Sequence, residues 1–171
     1  MIDIRQIVHV DAAPRQGLRD LLVDAVDGGA SVGFLPPMRE ATADTYWDEI
    51  LADLGPARTL WVAEDAGVIA GSVQLSLCEK ENGRHRADVQ KLFVLTQHRG
   101  QGIASKLMDA LETHARRCRR SLLVLDTLAG SAAEAVYRHL GWNRVGEIPN
   151  FAASADGALH PTAYYYKILV P

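Results

Sequence analysis

The chain has 171 residues, a formal net charge of -3, 48% hydrophobic residues and two cysteines. This is the length of one domain, residues 1–171, with too much apolar content for a disordered chain. Its mild acidity excludes a general nucleic-acid binder, which needs clustered positive charge, and two cysteines cannot build a disulfide framework, so a reducing cytoplasmic compartment is expected.

The opening Met1-Ile2-Asp3-Ile4-Arg5 has no basic segment followed by an apolar run, and no stretch has the roughly 18 apolar residues of a membrane span. Ile2 to Val10 alternates and is β-branched, which predicts a first strand. Leu18, Leu21, Leu22, Ala25 and Val26 follow at helical spacing, and Gly28-Gly29 stops that helix. A Gly- and Pro-bounded loop runs to Pro37, and Tyr46, Trp47, Ile50, Leu51 and Leu54 mark a second helix ended by Gly55-Pro56.

The period then shortens. Thr59 to Ala63, Val68 to Leu77 and Ala87 to Leu95 read as an antiparallel meander, with turns at Glu64–Gly67 and Asn82-Gly83. A helix carrying Ile103, Leu107, Ala110, Leu111 and His114 on one face ends in a basic turn that complements its dipole. Ser121 to Thr127 is nearly all apolar and predicts a strand buried on both faces. Ser131 is placed to cap a helix from Ala132 to Leu140, with Glu134 completing a capping box. Asn143 to Ile148 and Ala163 to Leu169 predict two last strands, with Pro149 to Pro161 as a loop between them. This order predicts an α/β (α+β) fold with a mixed sheet.

The most informative run is Leu92-Phe93-Val94-Leu95-Thr96-Gln97-His98-Arg99-Gly100-Gln101-Gly102-Ile103-Ala104. A strand enters a turn with two glycines and then a helix. The first helical turn offers free N–H groups and a partial positive charge, and glycines let a ligand approach the backbone. Together they suit a phosphate or pyrophosphate, with Arg99 adding charge. A dinucleotide fold would use Gly100, Gly102 and Ser105 with Asp126 on the ribose. That fingerprint normally follows the first strand, whereas several strands precede this one, and too little chain follows Asp126 for a second βαβ half.

Gln97-His98-Arg99-Gly100-Gln101-Gly102 resembles the central motif of the GNAT superfamily of acetyl-CoA-dependent N-acetyltransferases, Gln/Arg-x-x-Gly-x-Gly/Ala. Ala133 to Trp142 resembles the Ala-x-x-x-Tyr-x-x-Leu-Gly-Phe helix end of the same family. Within it, Gly28–Phe34, Gln74–Cys78, Val89–Leu92, Leu125–Thr127, Ala129–Ser131 and the late Ala155–Ala163 stretch resemble the tabtoxin-resistance acetyltransferases. The resemblance implies a GNAT fold with a mostly antiparallel sheet of about seven strands flanked by helices. It also implies acetyl-CoA as co-substrate, with no metal, and a free amine on an amino-acid-like toxin as acceptor.

Carried over by position, the cofactor contacts fall on Leu92, Phe93, Val94, Arg99, Gly100, Gln101, Gly102, Ile103, Ala104 and Ser105. Many members carry an Asn before the last helix where this chain has Gly130, and Ser131 is the residue that would replace its bond to the pantetheine arm.

Acetyl transfer needs a free amine, a polarised carbonyl and a thiolate able to leave. An alkyl ammonium of pKa about 10.4 costs roughly 4–5 kcal/mol to deprotonate at pH 7. Asp88 and Asp126 are the candidate proton acceptors, working through water, and strand alternation puts Asp88 with Gln90, Leu92 and Val94. Tyr137 is the candidate acid for the departing thiolate. Phe34, Trp47, Asn150 and His160 are expected to frame the acceptor, since binding residues concentrate in loops. The histidines show no metal-ligand spacing, and Cys78 and Cys118 are read as buried, inert thiols. A small-molecule amine is the expected partner, with no nucleic acid or membrane, and a homodimer stays open. The alternatives are acetylation of a polyamine, an aminoglycoside or a protein N-terminus, and a non-catalytic acetyl-CoA sensor.

Overall fold

A computed structural model of the chain describes residues 1–8 and 12–170, with the side chains of Ala12 and Ala13 left out of the description. In chain order the elements are β1 (Asp3–Ile7), α1 (Ala12–Asp27), α2 (Glu40–Ala52), β2 (Arg58–Asp65), β3 (Val68–Leu77), β4 (Arg86–Val94), α3 (Ile103–Arg117), β5 (Leu122–Leu128), α4 (Ala132–His139), β6 (Asn143–Ala153) and β7 (Leu159–Ile168). The seven strands form one sheet in the order β1-β2-β3-β4-β5-β7-β6. Only β4 and β5 are parallel neighbours; every other pair is antiparallel.

Helices cover both faces. Leu18, Leu21, Leu22 and Val26 of α1 and Ala43, Trp47 and Leu51 of α2 pack with Leu60, Val62, Ile69 and Phe93. On the other face, Ile103, Leu107, Met108, Leu111 and Ala115 of α3 and Tyr137 of α4 pack with Val73, Leu75, Val89, Leu123 and Leu125. The helical spacing read from the sequence produces these apolar stripes, and their burial supplies most of the cohesion.

Several expectations change. β1 ends at Ile7; the predicted end at His9 and Val10 lies outside the described residues. β5 is buried on one face only: Leu123 and Leu125 are covered while Leu122 and Val124 are half-exposed. The predicted Pro149–Pro161 loop is mostly strand, with the turn confined to residues 154–158 between β6 and β7. Pro149 is tolerated because β6 is an edge strand. The capping box does not form either: among the described residues Ser131 Oγ has no partner, and the Glu134 carboxylate accepts from the Gly130 N–H at 2.7 Å. Glu134 is instead a buried hub, accepting from Tyr165 Oη and from Arg144 Nε at 3.0 Å, so it ties α4 to β7 and β6. Cys78 and Cys118 are half-buried; Cys118 Sγ lies 3.4 Å from His114 Nε2.

Candidate active site

β4 and β5 pair over only three rungs, Arg86 with Leu122, Ala87 with Leu123 and Asp88 with Val124, and then diverge. Beyond that fork the β5-facing backbone of β4 has no strand partner, while its other edge stays joined to β3 through Phe93 with Ser72 and Val94 with Gly71. A fork of this kind leaves free N–H and C=O groups inside the sheet, where an extended ligand can take them up.

A β-bulge shapes the fork. Gln90 pairs with Gln74 and Phe93 with Ser72, so Lys91 and Leu92 stand opposite Val73 alone, and Lys91 takes φ 54. The bulge resets the alternation expected along β4. Asp88 and Gln90 keep the face of α1 and α2, but Leu92 and Val94 join the α3 side and Phe93 the α1–α2 side. Lys91 is carried toward the α1–α2 loop, where its Nζ donates to the Val32 carbonyl and lies 5.9 Å from the centre of the Tyr46 ring.

Asp126 follows Val124 by two residues, so it shares a face with Asp88 across the fork. It is exposed rather than an expensive buried charge, and its Oδ2 accepts from Thr162 Oγ1 at 2.9 Å. Burial raises the Asp88 carboxyl above its ordinary value, only partly opposed by Arg86. Tyr137 approaches from α4 with its ring buried against Trp142 and Tyr165. Burial, with the nearby Asp126 charge, pushes its phenol up to about 12. Among the described residues its hydroxyl has no hydrogen-bond partner.

The turn after β4 holds Gly100 at φ 78 and Gly102 at φ 74, with nothing within 4 Å of where a Cβ would stand on either. Gly102 caps α3 without any side-chain bond, so the N–H groups of Ile103, Ala104 and Ser105 begin the helix uncapped. Ile103's side chain is core, which leaves its backbone as the part that can meet a ligand. Arg99 is exposed; its Nε donates to the Val94 carbonyl at 3.4 Å, at the start of the same turn. Gln101 is exposed beside it.

A cavity of about 600 Å³ opens between the α1–α2 loop and the β6–β7 hairpin, lined among others by Phe34 and His160. His160 Nε2 lies 3.0 Å from Ser154 Oγ at the hairpin turn. One expectation fails. Trp47 is 0% exposed in the core, because α2 turns it onto the sheet, so it cannot frame an acceptor. Asn150 sits in β6, exposed at a bulge with φ 55, and is not among the residues lining the cavity.

The model of the acetyltransferase (GNAT) family matches residues 22–142. The chain belongs to that family. It is 32% identical over 127 residues to an uncharacterized N-acetyltransferase from Azospirillum brasilense, a match covering 73% of this chain and 74% of that one. It is 36% identical over 99 residues to N-acetyltransferase 8 of Rattus norvegicus, covering 57% of this chain and 44% of that one. The solved ribosomal-protein-alanine N-acetyltransferase of Brucella melitensis shares the fold at TM-score 0.79 and 23% identity, covering 98% and 99% of the two chains. So does yncA of Salmonella typhimurium, solved with acetyl-CoA, at TM-score 0.79 and 18% identity, covering 100% and 95%.

The GNAT chain is thus an acetyl-CoA-dependent N-acetyltransferase with acetyl-CoA as co-substrate. Its residues fit that group. The open fork suits the amides of a pantetheine arm, the uncapped first turn of α3 suits a pyrophosphate, and the buried, unpartnered Ser131 Oγ leaves a polar atom free. Sequence reasoning did not single out Lys91, Tyr46 or Gln74 for the site, although Tyr46 Oη accepts from Gln74 Nε2 at 2.9 Å beneath Lys91. The one signal was a lysine in a strand that otherwise alternates.

Proposed function

We propose that the enzyme moves the acetyl group of acetyl-CoA directly to the primary amine of a small amino-acid-like acceptor in a ternary complex. The observation that carries this reading is the fork itself, with two carboxylates, Asp88 and Asp126, on one face of its mouth and Tyr137 behind it. The co-substrate supplies an acetyl thioester. The backbone of Leu92, Phe93 and Val94 holds its arm, and the first turn of α3, from Gly100 to Ser105, holds its phosphates.

Asp88 and Asp126 draw the acceptor ammonium to the fork and relay its proton through water, while the free amine itself still costs roughly 4–5 kcal/mol at pH 7. Tyr137 keeps its proton across the working pH range and offers it where the sulfur departs. The cavity next to the fork, with Phe34 and His160 on its walls, admits the acceptor's body. Its size fits a small molecule. The stretches that resemble tabtoxin-resistance acetyltransferases, several of them lining this site, support detoxification of such a compound as the role.

A panel of amino acids, dipeptides, polyamines and aminoglycosides tests the reading. Release of coenzyme A thiol with amino-acid-like amines, and not with polycations, is expected. Turnover of polycations alone would overturn it.

A further inference from the structure

Lys91 is the one cation that the β4 bulge carries into the fork region. It is half-buried, and burial lowers its ammonium below the ordinary value while Asp126 pulls it back up. Its Nζ donates to the Val32 carbonyl, stands over the Tyr46 ring and lies 3.8 Å from where a Cβ on Gly33 would be. An ammonium has three protons, and Val32 takes one. Among the described residues, no carboxylate forms an ion pair with it. A half-buried ammonium held by one carbonyl and no direct ion pair keeps donors free, and an anionic ligand would take them up. Val32 and Gly33 belong to the loop that walls the acceptor cavity, and Asp126 lies close enough to act on Lys91. A positive group against the cavity loop and a negative group on β5 thus lie within electrostatic reach of each other.

We propose that Lys91 binds a carboxylate of the acceptor and so selects amines that carry one, while its charge rejects polycations. This rests on the amino-acid-like acceptor read above. The acceptor's ammonium turns to Asp126 and Asp88, and its carboxylate to Lys91. Lys91 acts as a specificity residue by repulsion as well as attraction.

The test compares kcat/KM for α-amino acids and for their α-carboxamides. The wild type is expected to prefer the acids. Lys91→Met and Lys91→Gln are expected to cut that preference tenfold or more, mainly through KM, and Lys91→Arg to retain most of it. Gln keeps a donor for Val32 without the charge, so it separates recognition from bracing of the loop. An unchanged preference in Met and Gln variants that still bind acetyl-CoA would overturn the role of Lys91 alone. A wild type that acetylates polyamines but neither member of the pairs would overturn the acceptor reading, and this proposal with it.

Discussion

Asp88 stands opposite Val124 on the last rung joining β4 to β5, and Asp126 lies two residues further along the same face. The two carboxylates flank the point where the sheet opens. If they share the amine's proton through water, each single variant loses part of the activity. Asp88→Asn and Asp126→Asn are each expected to lower kcat/KM roughly 10- to 100-fold, and the double variant further. Burial raises the Asp88 carboxyl, and a base must be ionised to act, so the rising limb of the pH–rate profile sits above the ordinary carboxylate range. Asp88→Asn should remove that contribution. Unchanged profiles in both variants would exclude both residues.

Tyr137 has the opposite requirement, since an acid must hold its proton. A phenol pushed up to about 12 keeps it well past neutrality, so no falling limb from Tyr137 is expected in the physiological range. Tyr137→Phe keeps the ring that packs against Trp142 and Tyr165. It should bind acetyl-CoA normally and lose kcat roughly 100-fold. Normal turnover would refute the acid role.

Gly102 adopts φ 74 immediately before α3. Gly102→Ala is expected to cost about 1 kcal/mol of stability from the left-handed backbone. Its Cβ would also occupy space left open beside the turn, so calorimetry should find weaker acetyl-CoA binding while amine KM changes little.

Glu134 links three elements from a buried position. The Tyr165 hydroxyl holds its carboxyl down to about 2, helped by the Gly130 N–H and by Arg144, against the opposing effect of burial. A carboxylate depressed in the fold stabilises it above the unfolded value of about 4.5 and loses that contribution as pH falls toward 2. Glu134→Gln should lower the melting temperature at pH 7, by about 2–4 kcal/mol of stability, and flatten the acid limb of the unfolding curve.

The helices and the meander were legible because their apolar periods differ, 3.6 against 2, and because glycines punctuate them. The turn that leads into α3 was legible because Gly100 and Gly102 are local in sequence. The bulge at Lys91 was not: it depends on how β4 registers against β3, and no residue type announces it. Trp47 looked available because aromatic residues serve binding sites as well as cores, and only the packing of α2 decides between them. Ser131 and Glu134 matched a local capping pattern, but Tyr165 and Arg144, distant in sequence, claimed the glutamate. Asp88 and Asp126 were read one at a time from their strands, and the face they share depends on the short parallel pairing that no local pattern encodes.

The most direct measurement is mass spectrometry of an amine panel incubated with the enzyme and acetyl-CoA. Acetyl-CoA-dependent acetylation of amines that carry a carboxylate is the predicted result. Tight acetyl-CoA binding with no amine modified would contradict catalysis at the β4–β5 fork.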